Sequence, residues 1–235
     1  MKNMVVASTS TVHGSGYLEY LLPALEKLFE NVDTVTFIPY ARPGGIDHDA
    51  YTAIAAKGLA AIGKKVRGLH TYQTAEEGVL RAEALFTGGG NTFLLVHELY
   101  RNGVMEVLRK AIYRGLPYLG TSAGSNITGL SMQTTNDMPI IYPPSFKTLG
   151  ALPFNLNPHY LDPVKGSTHM GETRETRIKE FHTINHIPVV GLREGSWLEV
   201  KGDDVYLRGD LTARIFEKDV APFETEPGKK IYFES

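Results

Sequence analysis

Gly120-Thr121-Ser122-Ala123-Gly124 is the stretch with the clearest chemical potential, a serine with a glycine two places to either side. Between a strand and a helix, a Gly-x-Ser-x-Gly turn presents the serine Oγ at the mouth of a sheet. Glycines are needed because the turn is strained and neighbouring backbone passes close to the serine. A serine hydroxyl is a weak nucleophile at neutral pH. It needs a base, normally histidine, and a carboxylate to orient that base.

Eight histidines could serve: His13, His48, His70, His97, His159, His169, His182 and His186. His48 and His97 fall in helical patterns and read as surface or packing residues, and His70 ends a strand. His182 and His186 straddle a helix end before Pro188 with no acidic ligand nearby, so they read as solvated rather than metal-binding. His159 follows Pro158 in an irregular stretch downstream of the serine and is a candidate base. Two acids compete to orient it. Asp162 is close in sequence and awkwardly placed to hold the ring, whereas Glu194 ends a buried strand beside Gly195 and is better placed. The order Ser, His, Glu differs from the Ser, Asp/Glu, His order of α/β-hydrolases, and no histidine follows His186.

The elements that must position these groups alternate along the chain. Apolar runs at Met4–Ser8, Val35–Ile38, Val66–Leu69, Ala84–Thr87 and before Ser122 read as strands. Between them lie helical patterns: Leu18 to Leu28, a stretch after Asp47 with Tyr51, Ile54, Ala55, Leu59 and Ile62 on one face, Ala75–Ala82, Phe93–Leu99 and Val104–Ile112. Strands alternating with helices predict a parallel sheet covered on both faces, with ligands beyond the carboxyl ends of the strands. Gly88-Gly89-Gly90 and the serine turn both fall at such ends, facing one cleft. His13-Gly14-Ser15-Gly16 invites a dinucleotide reading, but the third glycine would fall at Glu19 and the next strand ends in Pro39-Tyr40 without an acid. Residues 131–170 read as irregular, Glu172–Ile184 as a helix and Val189–Leu192 as a strand. From Trp197 an alternating pattern through Ile231–Phe233 predicts an antiparallel β tail.

Composition narrows the classes. The chain has 235 residues, 42% hydrophobic and 21% charged, with net charge −2 and no cysteine. It carries no electrostatic case for nucleic acid, no disulfide or thiolate site, and no apolar run of the ~18 residues a membrane span needs. A cytoplasmic protein of one domain, residues 1–235, is the economical reading.

Thr87-Gly88-Gly89-Gly90-Asn91-Thr92-Phe93, Gly120–Gly124, Thr135-Asn136-Asp137-Met138-Pro139-Ile140, Asn157-Pro158-His159, Gly171-Glu172-Thr173-Arg174-Glu175 and Glu194-Gly195 occur in this order. Together they resemble the S51 serine peptidases, the peptidase E family of aspartyl dipeptidases, in register from the first strand to about Trp197. The resemblance implies a three-layer α/β fold similar to class I glutamine amidotransferases. It also implies hydrolysis of dipeptides with an N-terminal aspartate (Asp-X) through an acyl-enzyme, without metal or other cofactor. Carried onto this chain, Ser122 is the nucleophile, His159 the base and Glu194 the acid, with the N–H groups of Gly90 and Ala123 as oxyanion hole.

An N-terminal aspartyl group presents an ammonium and a carboxylate, so its site wants a carboxylate and an arginine fork. Asp137 and Arg174 occupy the matching motifs; Arg177 is the runner-up for the arginine, and Tyr160 and His169 are pocket-lining candidates. The Asp162-Pro163-Val164-Lys165 segment is the place for a lid or a specificity detail. Thr121 also suits cyanophycinase-like relatives, usually longer chains that cleave β-aspartyl-arginine bonds. A non-catalytic ligand-binding module on an amidotransferase-like scaffold is the alternative from another class. It is told apart by whether Ser122 and His159 come within about 3 Å. A glutaminase subunit lacks its cysteine here. A homodimer through the β tail or a helix face is compatible with the pattern, and nothing selects it.

Overall fold

Met4 and Val6 face one apolar cluster and Val5 and Ala7 the other, the period of two expected of a strand buried on both sides. The computed structural model describes residues 1–163 and 171–233. This first strand, β1 (Asn3–Ala7), lies parallel to β5 (Tyr118–Thr121) and antiparallel to β8 (Trp197–Lys201). Beyond β5 come β4 (Ala84–Thr87), β2 (Thr34–Ile38) and β3 (Lys65–Gly68), all parallel. The hairpin partner β9 (Asp204–Arg208) completes a seven-stranded sheet of order β3-β2-β4-β5-β1-β8-β9.

Helices α1 (Leu22–Leu28) and α2 (His48–Ala60) pack Leu25, Tyr51 and Leu59 against Phe37, Phe86 and Leu119 on one face. Helices α3 (Ala75–Leu80), α4 (Thr92–Arg101) and α5 (Met105–Tyr113) bring Val79, Leu95 and Leu108 to the other. Asp47 caps α2, its Oδ1 accepting from Ala50 N–H at 2.7 Å. The helix expected from Leu18 to Leu28 is divided. Leu18 has φ 62°, a 3₁₀ turn spans Glu19–Leu21, and α1 begins with Pro23 in its first turn. Proline lacks an N–H and its ring clashes with the carbonyl four residues back, so a helix can start there but not run through it.

A short helix α6 (Ala123–Asn126) follows β5, and β6 (Asn155–Pro158) interrupts the stretch expected to be irregular. β6 pairs in parallel with β7 (Val189–Leu192), to which β10 (Ala213–Phe216) and β11 (Phe223–Thr225) add antiparallel. These four strands form a second sheet, order β11-β10-β7-β6. Leu156, Val190 and Ile215 join the core of the large sheet, while Val189, Phe216 and Tyr160 meet Ile178 and Phe181 of α7 (Arg174–Ile184). The C-terminal β tail is thus divided: β8 and β9 extend the large sheet, and β10 and β11 the small one. Ile231–Phe233 forms no strand; Lys230 bridges Tyr206, and Ile231 N–H donates to Val205 O at 2.8 Å.

Candidate active site

The turn from β5 into α6 puts Ser122 at φ 54° and ψ −113°, a conformation side chains avoid, and leaves it half-buried at the carboxyl end of the sheet. The flanking glycines follow from close approach. A Cβ on Gly124 would stand 2.1 Å from the Thr87 carbonyl oxygen, and one on Gly120 2.5 Å from that of Gly124. The elbow can seat against β4 only without those side chains.

His159, just past β6, reaches the serine from the second sheet. Its Nε2 lies 2.9 Å from Ser122 Oγ, and its Nδ1 lies 2.6 Å from Glu194 Oε1. An ionised Glu194 can only accept, so Nδ1 carries the proton and Nε2 is left to accept from the serine hydroxyl. The side chains of His159 and Glu194 are 36% and 50% exposed, so the pair orients the ring and adds little to stability. His159 itself sits at φ 55°.

Asp162 does not hold the histidine. It pairs instead with Arg193, whose Nε and Nη2 donate to its two oxygens at 2.8 Å each. Arg193 Nη1 also donates to Glu224 at 2.9 Å and to the Thr212 carbonyl at 2.7 Å. Glu224 accepts from Arg214, which reaches Glu175 on α7. Hydrogen bonds from Arg193 hold the Asp162 carboxyl below its ordinary value, against partial burial.

The loop between β4 and α4 closes the other side. A Cβ on Gly89 would meet Ser122 Cβ at 2.9 Å, and one on Gly90, at φ 144°, would lie 2.2 Å from the Ala41 carbonyl oxygen. Tyr51 donates its hydroxyl to the Gly89 carbonyl at 2.9 Å. A trans peptide points its N–H opposite its C=O, so this bond also fixes the direction of the Gly90 N–H. Neither Gly90 nor Ala123 donates to a main-chain carbonyl among the turn and loop hydrogen bonds of the described residues. Ala123 opens α6, where an amide has no acceptor one turn back.

Asp137 is anchored through one oxygen. Its Oδ2 accepts from Thr92 N and Thr92 Oγ1, both at 2.7 Å, and lies 3.1 Å from Thr135 Oγ1. The carboxylate thus sits at the positive end of α4. Oδ1 has no hydrogen-bond partner among the described residues and can accept from a cation. Arg174, the first residue of α7, makes no ion pair among the described residues, whereas Arg177 faces Glu172 at 3.8 Å. Partial burial and then Arg177 pull the Arg174 guanidinium below its ordinary value, and Asp137 acts the other way. An unpaired guanidinium at a helix N-terminus is disposed to take an anion.

Tyr160 turns into the small core beneath α7, away from the cleft role considered for it. His182 is buried rather than solvated, its Nε2 3.0 Å from the Ile187 carbonyl, because α7 lays that face on the second sheet. His169, Val164 and Lys165 lie outside the described residues. Among the described residues no group of three or more histidines and carboxylates could hold a metal, and no helix is long and apolar enough to cross a membrane. Thr92 and Thr135 lie inside the quoted motifs and Arg193 beside Glu194, but no spacing marks a threonine or arginine whose partner lies across the chain.

The sequence model of Peptidase family S51 matches residues 4–208. The chain is 49% identical to a protein of Streptomyces coelicolor named Peptidase E, over 97% of this chain and 93% of that one. It is 47% identical to a Drosophila melanogaster protein named Probable alpha-aspartyl dipeptidase, over 96% of this chain and 94% of that one. The crystal structure of a peptidase from an acI-B1 actinobacterium superposes with a TM-score of 0.74 at 16% identity, covering 99% and 97% of the two chains, a likeness of fold.

Proposed function

The chain belongs to peptidase family S51 and is a serine-type dipeptidase, and from that premise we propose that it cleaves Asp-X dipeptides with Ser122, His159 and Glu194 as its catalytic triad. The observation that carries the reading is the continuous line of hydrogen bonds, 2.9 Å from Ser122 Oγ to His159 Nε2 and 2.6 Å from Nδ1 to Glu194.

In this reading His159 Nε2 takes the Ser122 proton as Oγ bonds to the scissile carbonyl carbon, and Glu194 steadies the imidazolium. The oxyanion forms against the N–H groups of Gly90 and Ala123, donors typically worth about 3–4 kcal/mol each in the transition state. His159 then protonates the leaving amine as the C–N bond breaks, leaving an aspartyl ester on Ser122. Water, deprotonated by His159, attacks that ester, and the proton returns to Oγ. The substrate ammonium is taken by Oδ1 of Asp137 and the aspartyl side-chain carboxylate by Arg174. The whole chain, 1–235, works as one peptidase domain, since nucleophile and base come from different sheets, and we place it in the cytoplasm.

Hydrolysis of Asp-Leu compared with Asn-Leu and Leu-Leu tests the proposal. Asp-Leu is expected to be cleaved far faster than the other two, with no loss of rate in a chelator. Equal rates on all three would sink the aspartyl assignment, and chelator-sensitive activity would sink the metal-free serine mechanism.

A further inference from the structure

The last residue of β1 and the one after it touch every strand end that carries the proposed triad. The Ala7 carbonyl accepts from Ser122 N–H at 3.2 Å and from the Ser125 hydroxyl at 2.6 Å. The next side chain, Ser8, is fully buried. Its hydroxyl donates to the Leu192 carbonyl at 2.7 Å and accepts from His159 N–H at 2.9 Å. Two consecutive residues therefore grip the nucleophile in the large sheet, and in the second sheet the base and the strand that delivers Glu194.

The hydroxyl suits that place for a physical reason. His159 is held at φ 55°, where its N–H is turned out of the strand ladder and needs another acceptor. Leu192 already receives Tyr160 N–H at 3.1 Å, and its carbonyl has a second lone pair to offer. A serine hydroxyl, which both donates and accepts, joins the two; alanine could do neither.

We propose that Ser8 is a positioning residue for the hydrolysis, setting the Ser122–His159 distance through the His159 main chain. The inference rests on His159 being the base. Removing the hydroxyl leaves His159 N–H unpaired and lets the imidazole drift from Ser122. Misplacing a catalytic group by about an ångström costs on the order of 100-fold in rate.

The test is Ser8→Ala on Asp-Leu beside the parent and His159→Ala, with folding verified by circular dichroism. Ser8→Ala is expected to lower kcat about 10- to 100-fold with KM within about twofold. In a Ser122→Ala background, the downfield NMR signal of the His159 Nδ1 proton should broaden or shift when Ser8 is also replaced. A merely structural role would lower the melting temperature and leave kcat and that signal in place. Parental kcat in folded Ser8→Ala, or a change in KM alone, overturns the proposal. If His159→Ala itself retains turnover, it is the assignment of the base that fails. Should Ser8→Ala not fold, Ser8→Cys, which keeps the volume with a far weaker acceptor, is read by the same outcomes.

Discussion

At the scale of single residues, the site joins one hydrogen-bonded hydroxyl to two charged groups with hydrogen-bonding capacity to spare. Ser122 Oγ stands 2.9 Å from His159 Nε2, and among the described residues Asp137 has one oxygen anchored on Thr92 and one without a partner, while Arg174 has no ion pair. Ser122→Ala is expected to cut turnover by about 10⁴-fold or more without unfolding the chain, read by kcat and circular dichroism. Arg174→Ala is expected mainly to raise KM for Asp-Leu, with kcat/KM falling about 10- to 100-fold, the loss of a charge-assisted hydrogen bond. Aspartyl selectivity that survived Arg174→Ala would move the carboxylate anchor to Arg177. Tyr51→Phe keeps the ring packed against Phe37 and removes only the hydroxyl that orients the Gly89–Gly90 peptide. About a tenfold loss in kcat with KM unchanged is the expected result, and an unchanged kcat would detach that hydroxyl from catalysis.

At the scale of elements, the elbow is held by close backbone approach and the cleft rim by ion pairs. Gly124→Ala would drive a methyl into the Thr87 carbonyl at 2.1 Å. Because backbone on both sides must shift, a loss of about 2–4 kcal/mol in urea unfolding is expected, together with lost activity. Arg193 ties the loop after His159 to the turn that carries Glu194 and to β11. Since the Asp162 carboxyl is held below its ordinary value, its contribution to stability is present above about pH 4 and is lost as pH falls through the lowered value. Arg193→Met is therefore expected to be less stable than the parent at pH 7, with the gap narrowing at pH 3. A gap independent of pH in urea titrations would assign the role of Arg193 instead to packing on Tyr160, over whose ring its guanidinium lies 5.4 Å from the centroid.

At the scale of the whole molecule, the proposed triad is assembled across two sheets, Ser122 following β5 and His159 following β6. Asn126 Nδ2 and Thr134 Oγ1 both donate to the buried Leu156 carbonyl, each at 2.8 Å, joining the elbow helix to β6. Removing one donor leaves the carbonyl satisfied, whereas removing both orphans it. The double variant Asn126→Ala/Thr134→Val is thus expected to lose about 1–3 kcal/mol more than the sum of the single losses. Additive losses would show that the two bonds act independently. Much of the large sheet was legible in the sequence because its signals are local: alternating strands and helices, Asp47 as a cap, glycines where the chain turns. The second sheet was not: β6 falls in a stretch that reads as irregular, and the apolar run of Val189–Leu192 marks a buried strand without saying which strand lies beside it. Ser8 was invisible for the same reason, being one serine after an apolar run. The sequence by itself determined which residues could act and in what order they come. Only the tertiary structure decided that Ser122 and His159, 37 residues apart, stand 2.9 Å from one another, because that distance is set by hydrogen bonds between sheets that no local pattern encodes.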